Sequence, residues 1–232
     1  MTLTEAEWEV LFLSLRVAAT ATIIGLPIAF WAAWSLARRR VPFRGLVKAI
    51  IQLPLVLPPV VVGYLLIVTF GRQGWIGGPL YQATGISIAF TTTAAVIATG
   101  IVAFPLMVRA CRLSIETLDP KLEAAARVHG ASPTRVFWTL SAPLCLPGIL
   151  AATTLGFARG FGEFGATLIF AANIPGETRT LPIAIYTALQ SPTGGEAAAR
   201  LVVISVTAAV GAFLISEWLE RRTRERLSGE SR

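Results

Sequence analysis

One pair of residues in the apolar part of the chain has the types and spacing for charge chemistry. Arg159 and Glu163 stand four positions apart in the run FARGFGEFGATLIF, and a helix would place them on one face as an ion pair. Ionisable groups inside an apolar segment are costly and often mark a functional site. Two interpretations stay open. The pair lies at a gate or an anion pathway with Phe164 and Thr167, or it only orients two helices.

The chain carries no pattern that is typical of an enzyme. His129 is the single histidine, and Cys111 and Cys145 lack the spacing of metal ligands. Neither Lys48 nor Lys121 is preceded by glycine, so the phosphate-binding loop G-x-x-x-x-G-K-[ST] is absent. We therefore predict no catalytic residue, no metal site and no cofactor bound by this chain. If ATP drives its activity, another subunit must hydrolyse it.

The elements that position these residues are predicted to be membrane spans. The 232 residues are 54% hydrophobic and 14% charged, with a mean hydropathy of +0.68, which is outside the range of soluble domains. The net charge of +7 could suggest nucleic acid, but the basic residues form short clusters between apolar runs, as in cytoplasmic loops. We predict one all-α integral membrane domain over residues 1–232, with a core of about 8–219 and no nucleic-acid partner. The acidic N-terminus does not resemble a cleavable signal peptide.

Five apolar runs are predicted to cross the membrane. They are Val17–Leu36 with the preceding turns from Trp8, Ala49–Gly71, Ile86–Val108, Leu144–Phe170 and Leu201–Trp218. The positive-inside rule places the N-terminus outside and the C-terminus in the cytoplasm, because three predicted inner segments hold 15 of the 20 lysines and arginines. The first of these segments contains Arg38, Arg39, Arg40, Arg44 and Lys48, and the last is a basic cytoplasmic tail, 221–232.

Prolines in the second run predict a bend. Pro54, Pro58 and Pro59 each remove a backbone donor, and open backbone at membrane depth is tolerated only against protein or a cavity. We expect this bend to face protein or a cavity rather than lipid.

A polar stretch between the third and fourth runs, Leu122 to Ile149, is predicted to lie in the cytoplasm. Gly130 after an alanine-rich turn predicts the end of one helix, while Ser132 and Pro133 predict the N-cap and first residue of the next. From local sequence alone, a surface helical hairpin without further function is an equally good interpretation.

The same stretch resembles the EAA signature of ABC-importer permeases, which is Glu-Ala-Ala, three residues, Gly, nine residues, then Ile-x-Leu-Pro. The spacing from Ala124 to Gly130 and Pro143 is intact, although Ala124 stands in place of the signature glutamate and Glu123 comes one position earlier. Leu140 and Ala142 replace the signature isoleucine and leucine. The resemblance implies a loop that couples to an ATPase and is formed by Glu123, Ala124, Ala125, Ala126, Gly130 and Pro143.

Three further runs resemble the permease subunits of molybdate ABC transporters. They are LPLVLPPVVVGY at 53–64, GEFGAT at 162–167 and NIPGETRTLP at 173–182. Sulfate permeases share the Gly-Glu-Phe/Tyr-Gly and Asn-Ile-Pro parts but not the run that follows. The resemblance covers almost the whole chain and implies the transmembrane domain of a type I ABC importer, with about five spans and a cytoplasmic coupling helix.

The resemblance also implies an activity and partners. The activity would be translocation of molybdate across the inner membrane by alternating access. The partners would be a second copy of the chain, two cytoplasmic ABC ATPases that hold ATP and Mg, an extracytoplasmic molybdate-binding protein and membrane lipid. The chain shows no internal repeat, so a homodimer is the economical way to enclose a pathway. A tungstate or sulfate/thiosulfate permease stays open as an alternative, as does an ATP-independent channel or secondary carrier.

Overall fold

The structure, a computed structural model, describes residues 4–38 and 41–228 and is helical throughout, with no strand in these residues. The helices are α1 (Glu5–Ala37), α2 (Arg44–Val56), α3 (Pro59–Phe70), α4 (Gly77–Thr84), α5 (Thr92–Glu116), α6 (Pro120–Val128), α7 (Pro133–Val136), α8 (Ala142–Leu144), α9 (Leu146–Phe161), α10 (Gly165–Phe170), α11 (Leu181–Leu189) and α12 (Gly195–Ser228). A π-helical segment, Phe137–Ser141, joins α7 to α8. The prediction of an all-α protein is confirmed.

Three of these helices, α1, α5 and α12, are long and apolar enough to cross a membrane. Two more spans arise if each of two bent pairs is counted as one: α2 with α3, bent by 112°, and Pro133–Leu144 with α9, bent by 59°. The count of about five predicted spans therefore agrees with the structure.

Several boundaries differ from the sequence prediction. The third span begins at Thr92 rather than Ile86, because Thr91 caps the helix by accepting a hydrogen bond from the amide of Ala94, and it continues to Glu116. Helix α12 extends through residues 221–228 of the predicted tail. Arg39 and Arg40 of the first basic cluster, and residues 229–232 of the tail, lie outside the described residues.

The prolines of the second run break it, as predicted. Leu57 is extended, with φ −70° and ψ 143°, because the residue before a proline avoids the helical region. Helix α3 restarts at once, with the amide of Val61 donating to the carbonyl of Pro58 at 2.9 Å.

Small residues allow α1, α5 and α9 to approach closely at the centre of the bundle. A Cβ atom on Gly160 of α9 would lie 2.8 Å from a methyl of Thr99 in α5 and 3.7 Å from Ala18 in α1. One turn earlier, Gly156 leaves room for the Met107 side chain. Close approach through glycine and alanine is the usual means of helix packing in membranes. This three-helix core holds the two candidate sites at opposite ends.

Candidate coupling loop and membrane gate

The predicted helix-turn-helix is present. Helix α6 begins at Pro120, where Asp119 accepts a hydrogen bond from the Lys121 amide at 2.9 Å. It ends in a Schellman motif, in which Gly130 (φ +83°) donates to the carbonyl of Arg127 and Ala131 donates to that of Ala126.

The second helix of the motif also begins as predicted. The side chain of Ser132 accepts from the amide of Arg135 at 3.3 Å, and Pro133 is the first helical residue. His129, the single histidine, is the exposed C-cap of α6.

Much of this motif is exposed, including the charged residues Lys121 and Arg127. Ala124, Ala125 and Gly130 are exposed, and so are two larger apolar side chains, Leu122 and Val128, the latter 85% accessible. Small side chains permit close approach, and exposed apolar groups favour contact with a protein. The other two residues of the predicted loop, Ala126 and Pro143, are half-buried.

The side chain of Glu123, in contrast, contacts other residues of its own chain. Its side chain is only 12% exposed and forms an ion pair with Arg38, the residue that follows α1. The hydroxyl of Ser141 donates to the same carboxylate oxygen, Oε1, at 2.8 Å. Arg127 lies 3.8 Å from the second oxygen. The structure thus groups Glu123 with three residues that the predicted coupling loop did not include.

The second predicted site lies at the far end of α9. Nη1 of Arg159 is 2.7 Å from Oε2 of Glu163, so the predicted ion pair is present. The prediction that both residues lie on one helix is wrong, because α9 ends at Phe161 and Glu163 lies in the break before α10. Gly162 lies in this break, and Gly165 is the first residue of α10 directly after it.

The two partners differ in their surroundings. Glu163 is 2% exposed, and its Oε1 accepts a hydrogen bond from the amide of Ala166 in the first turn of α10 at 2.8 Å. The side chain of Arg159 is 29% exposed. The carboxylate of Glu163 is therefore buried, whereas the side chain of its cationic partner is partly accessible.

The other two predicted residues flank the pair differently. Thr167 is buried, and its hydroxyl donates to the carbonyl of Phe164 at 2.9 Å, which closes the first turn of α10. The ring of Phe164 packs on Tyr186 of α11 with centroids 5.1 Å apart. Thr167 stabilises the break, and Phe164 connects it to the neighbouring helix.

The broken segments of the second and fourth spans lie against each other. A Cβ on Gly165 would come 2.9 Å from Cβ of Pro59, and a Cβ on Gly63 would come 2.9 Å from the carbonyl oxygen of Ala166. Pro59 of the proline bend thus packs against α10, whereas Leu55 and Val56 before it are exposed. That the bend faces protein or a cavity rather than lipid stays a prediction. Two helix breaks in contact form an element that can change shape with little loss of regular hydrogen bonding.

The run NIPGETRT forms a turn that joins α10 to α11. Thr178 is fully buried and accepts from the amide of Ile174 at 3.0 Å, while Nε of Arg179 donates to Oδ1 of Asn173 at 2.7 Å. Gly176 has φ +78°. These contacts give the run a structural role next to the candidate gate.

The chain matches the family described as "Binding-protein-dependent transport system inner membrane component" over residues 25–225. It is 53% identical to the molybdenum transport system permease protein ModB of Escherichia coli K12, over 97% of this chain and 99% of that protein. It is 50% identical to the protein of the same name from Haemophilus influenzae, over 93% and 94% of the two chains. A sulfate transport system permease, CysW of Synechocystis, is 36% identical over 87% of this chain and 71% of its own length.

Solved structures share the fold at low sequence identity. A subunit of a bacterial alginate ABC transporter superposes with a TM-score of 0.75 at 16% identity, over 94% of this chain and 80% of that one. A chain of the MetNI methionine ABC transporter superposes with a TM-score of 0.67 at 16% identity, over 94% of both chains.

Proposed function

Because this chain belongs to the family of binding-protein-dependent transport system inner membrane components, we propose that it is the permease subunit of an ATP-driven importer that carries molybdate across the inner membrane. The observation that carries this proposal is the identity of 50–53% to molybdenum permeases over nearly the full length of both chains. Identity to the sulfate permease is lower, at 36%, and covers less of that protein.

The proposal assigns the energy-yielding step to a partner. Two cytoplasmic ATPases hold ATP and Mg, since this sequence lacks the glycine-rich phosphate loop. A molybdate-binding protein delivers the oxyanion from outside, and two copies of this chain, embedded in lipid, enclose the pathway.

In this proposal, the coupling loop is the surface of the permease that the ATPase binds and displaces. The exposed alanines Ala124 and Ala125, with Leu122 and Val128, present an apolar patch that a groove of the ATPase can cover. Closure of the ATPase dimer on ATP draws the two α6 helices together and opens the pathway to the outside; hydrolysis resets it. This is rigid-body alternating access.

The gate in this proposal is the contact between the two helix breaks. Pro59 and Gly165 lie in this contact, and Arg159 and Glu163 border it. The partly exposed, cationic side chain of Arg159 suits a dianion, while Phe164 packs on α11 and Thr167 closes the first turn of α10.

Reconstitution into proteoliposomes tests the function. The chain is co-expressed with the ATPase and the binding protein, and uptake of radiolabelled molybdate is measured with and without ATP. Tungstate and sulfate are added as competitors. We expect molybdate uptake to require ATP, an active ATPase and the binding protein. Excess sulfate should reduce this uptake only slightly. Uptake that persists with a catalytically inactive ATPase would show a channel or carrier instead.

A further inference from the structure

Helix α1 contacts the coupling motif, by which we mean α6, α7 and the π-helical segment that follows them. Neither the sequence nor the family match gives these contacts a role. Arg38 caps the end of α1, with its amide donating to the carbonyls of Trp34 and Leu36, and its guanidinium group pairs with Glu123 of α6. These residues are 85 positions apart in the sequence. The contact therefore connects the first span directly to the coupling helix, to which it has no nearby covalent connection.

The same end of α1 also contacts the second arm of the coupling motif. Phe137, the first residue of the π-helical segment, packs edge-on against Trp34 at 5.0 Å and stacks on Trp31 at 5.4 Å. The Arg38 guanidinium lies 4.8 Å from the centroid of the Trp34 ring, a cation–π contact. Ser141, the last residue of that segment, donates to Glu123. A π-helical segment inside a helix often occurs at a functional site.

A segment in the middle of α1, around Ser14 and Ala18, lies next to the candidate gate. Ser14 of α1 accepts a hydrogen bond from the amide of Leu181 at the start of α11, at 2.6 Å. Ala18 lies against Gly160, which is next to Arg159. At 1.5 Å per residue, about 30 Å of continuous helix separates Ala18 from Arg38. One helix thus contacts both the coupling motif and the gate.

We propose that the Arg38–Glu123 ion pair makes α1 the element that carries movement of the coupling helix to the gate, so that Glu123 is a positioning residue within the permease rather than a contact to the ATPase. This inference rests on the function proposed above. The carboxylate has three partners in its own chain and little exposed surface, which leaves its neighbours Ala124 and Ala125 to meet the ATPase. In this proposal, the ion pair passes displacement of α6 to α1 without a new interface, along a helix that contains one proline, Pro27.

The test compares Arg38→Met, Glu123→Gln and the double variant in the reconstituted complex. The quantity measured is molybdate transported per ATP hydrolysed, together with the amount of ATPase that co-purifies. We expect each single variant to lower this ratio by about five-fold or more with normal co-purification, and the double variant to be no worse, because residues that act as one unit are not additive. Arg38→Lys, which retains the charge, should recover part of the ratio.

Control variants for loss of an ion pair come from α12. Arg221 and Glu217 form an exposed ion pair within this one helix, with 2.9 Å between Nε and Oε1, and do not contact the coupling motif in the described structure. Arg221→Met and Glu217→Gln should leave the ratio unchanged. Ser141→Ala removes one donor to Glu123 without exposing a charge, so it should lower the ratio in the same direction even if the charge variants assemble poorly.

Two results would overturn the inference. One is a normal ratio in Arg38→Met beside a defect in Glu123→Gln; the other is loss of the ATPase from Glu123→Gln alone. Both would mean that Glu123 contacts the partner. If the wild-type complex takes up no molybdate, the proposed function fails instead. In that case, amide hydrogen exchange tests the Arg38–Glu123 contact separately. Glu123→Gln should raise the exchange rate in both α6 and the last turn of α1. An unchanged exchange rate in α1 would refute the contact.

Discussion

Arg159 and Glu163 form an ion pair, with 2.7 Å between Nη1 and Oε2, that joins the last turn of α9 to the segment before α10. The pair therefore crosses a break in the fourth span, and the second oxygen of Glu163 holds the first turn of α10. A charge pair at such a place fixes the angle between two helices.

The first prediction concerns the unequal burial of this pair. Arg159→Met leaves the carboxylate of Glu163, only 2% exposed, without its cation, and losing one partner of a buried pair typically costs about 3–5 kcal/mol. Glu163→Gln leaves a cation that is 29% exposed, so its cost should be smaller. We expect dimer assembly, followed by size-exclusion chromatography and thermal unfolding in detergent, to fall more in Arg159→Met.

The double variant Arg159→Met with Glu163→Gln separates architecture from transport. It leaves no uncompensated charge, so assembly should recover relative to Arg159→Met. Recovered assembly with recovered molybdate uptake would make the pair architectural, whereas recovered assembly without uptake would place it in the gate. Wild-type assembly of both single variants would contradict the buried pair.

The second prediction concerns the contact between the two helix breaks. Gly165→Ala adds a Cβ that would lie 2.9 Å from Cβ of Pro59, so the breaks must move apart, at a typical overpacking cost of about 1–3 kcal/mol. We expect a lower unfolding temperature and impaired uptake. Gly211→Ala in α12 is the control, because nothing lies within 4 Å of that added atom. Equal behaviour of the two variants would argue against a packed gate.

The third prediction concerns topology. Reporters fused to truncations after Gly85 should be outside, and those after Gly130 or at the C-terminus should be cytoplasmic, because the basic clusters follow the positive-inside rule. Alkaline phosphatase, active only outside, and a fluorescent protein, fluorescent in the cytoplasm, give opposite readings at each site. An outside location after Gly130 would overturn both the topology and the coupling mechanism.

Local chemistry made part of the fold predictable. Gly130, Ser132 and Pro133 occupy the predicted cap positions, since caps depend on a few neighbouring residues, and the prolines at 58 and 59 break the second run for the same reason. Span boundaries were less predictable: hydropathy favoured Ile86 as a helical start, but the cap at Thr91 determines it.

Contacts between distant segments could not be predicted from sequence. The charge and spacing of Arg159 and Glu163 gave the ion pair but not the break between them, because glycines permit a break without requiring one. The pairing of Arg38 with Glu123 has no local signal at all, since packing of α1 against α5 and α9 brings the two segments together. An arginine at the end of a span is first interpreted as a topological charge.

The last prediction tests the coupling motif through its backbone. Gly130 has φ +83° and open space around it, so a side chain there meets no atom within 4 Å and acts only through backbone strain. A β-branched residue strongly disfavours this conformation, at a cost of about 1–3 kcal/mol, and should tilt α6 relative to α7. We expect Gly130→Val to insert normally but to lose ATPase co-purification and uptake, and Gly130→Asn, which tolerates positive φ, to retain more of both. Gly85 has φ +71° and equally open space at the predicted outer side, which makes Gly85→Val the matched control for strain alone. If Gly130→Val couples as well as Gly85→Val does, α6 is not the coupling helix.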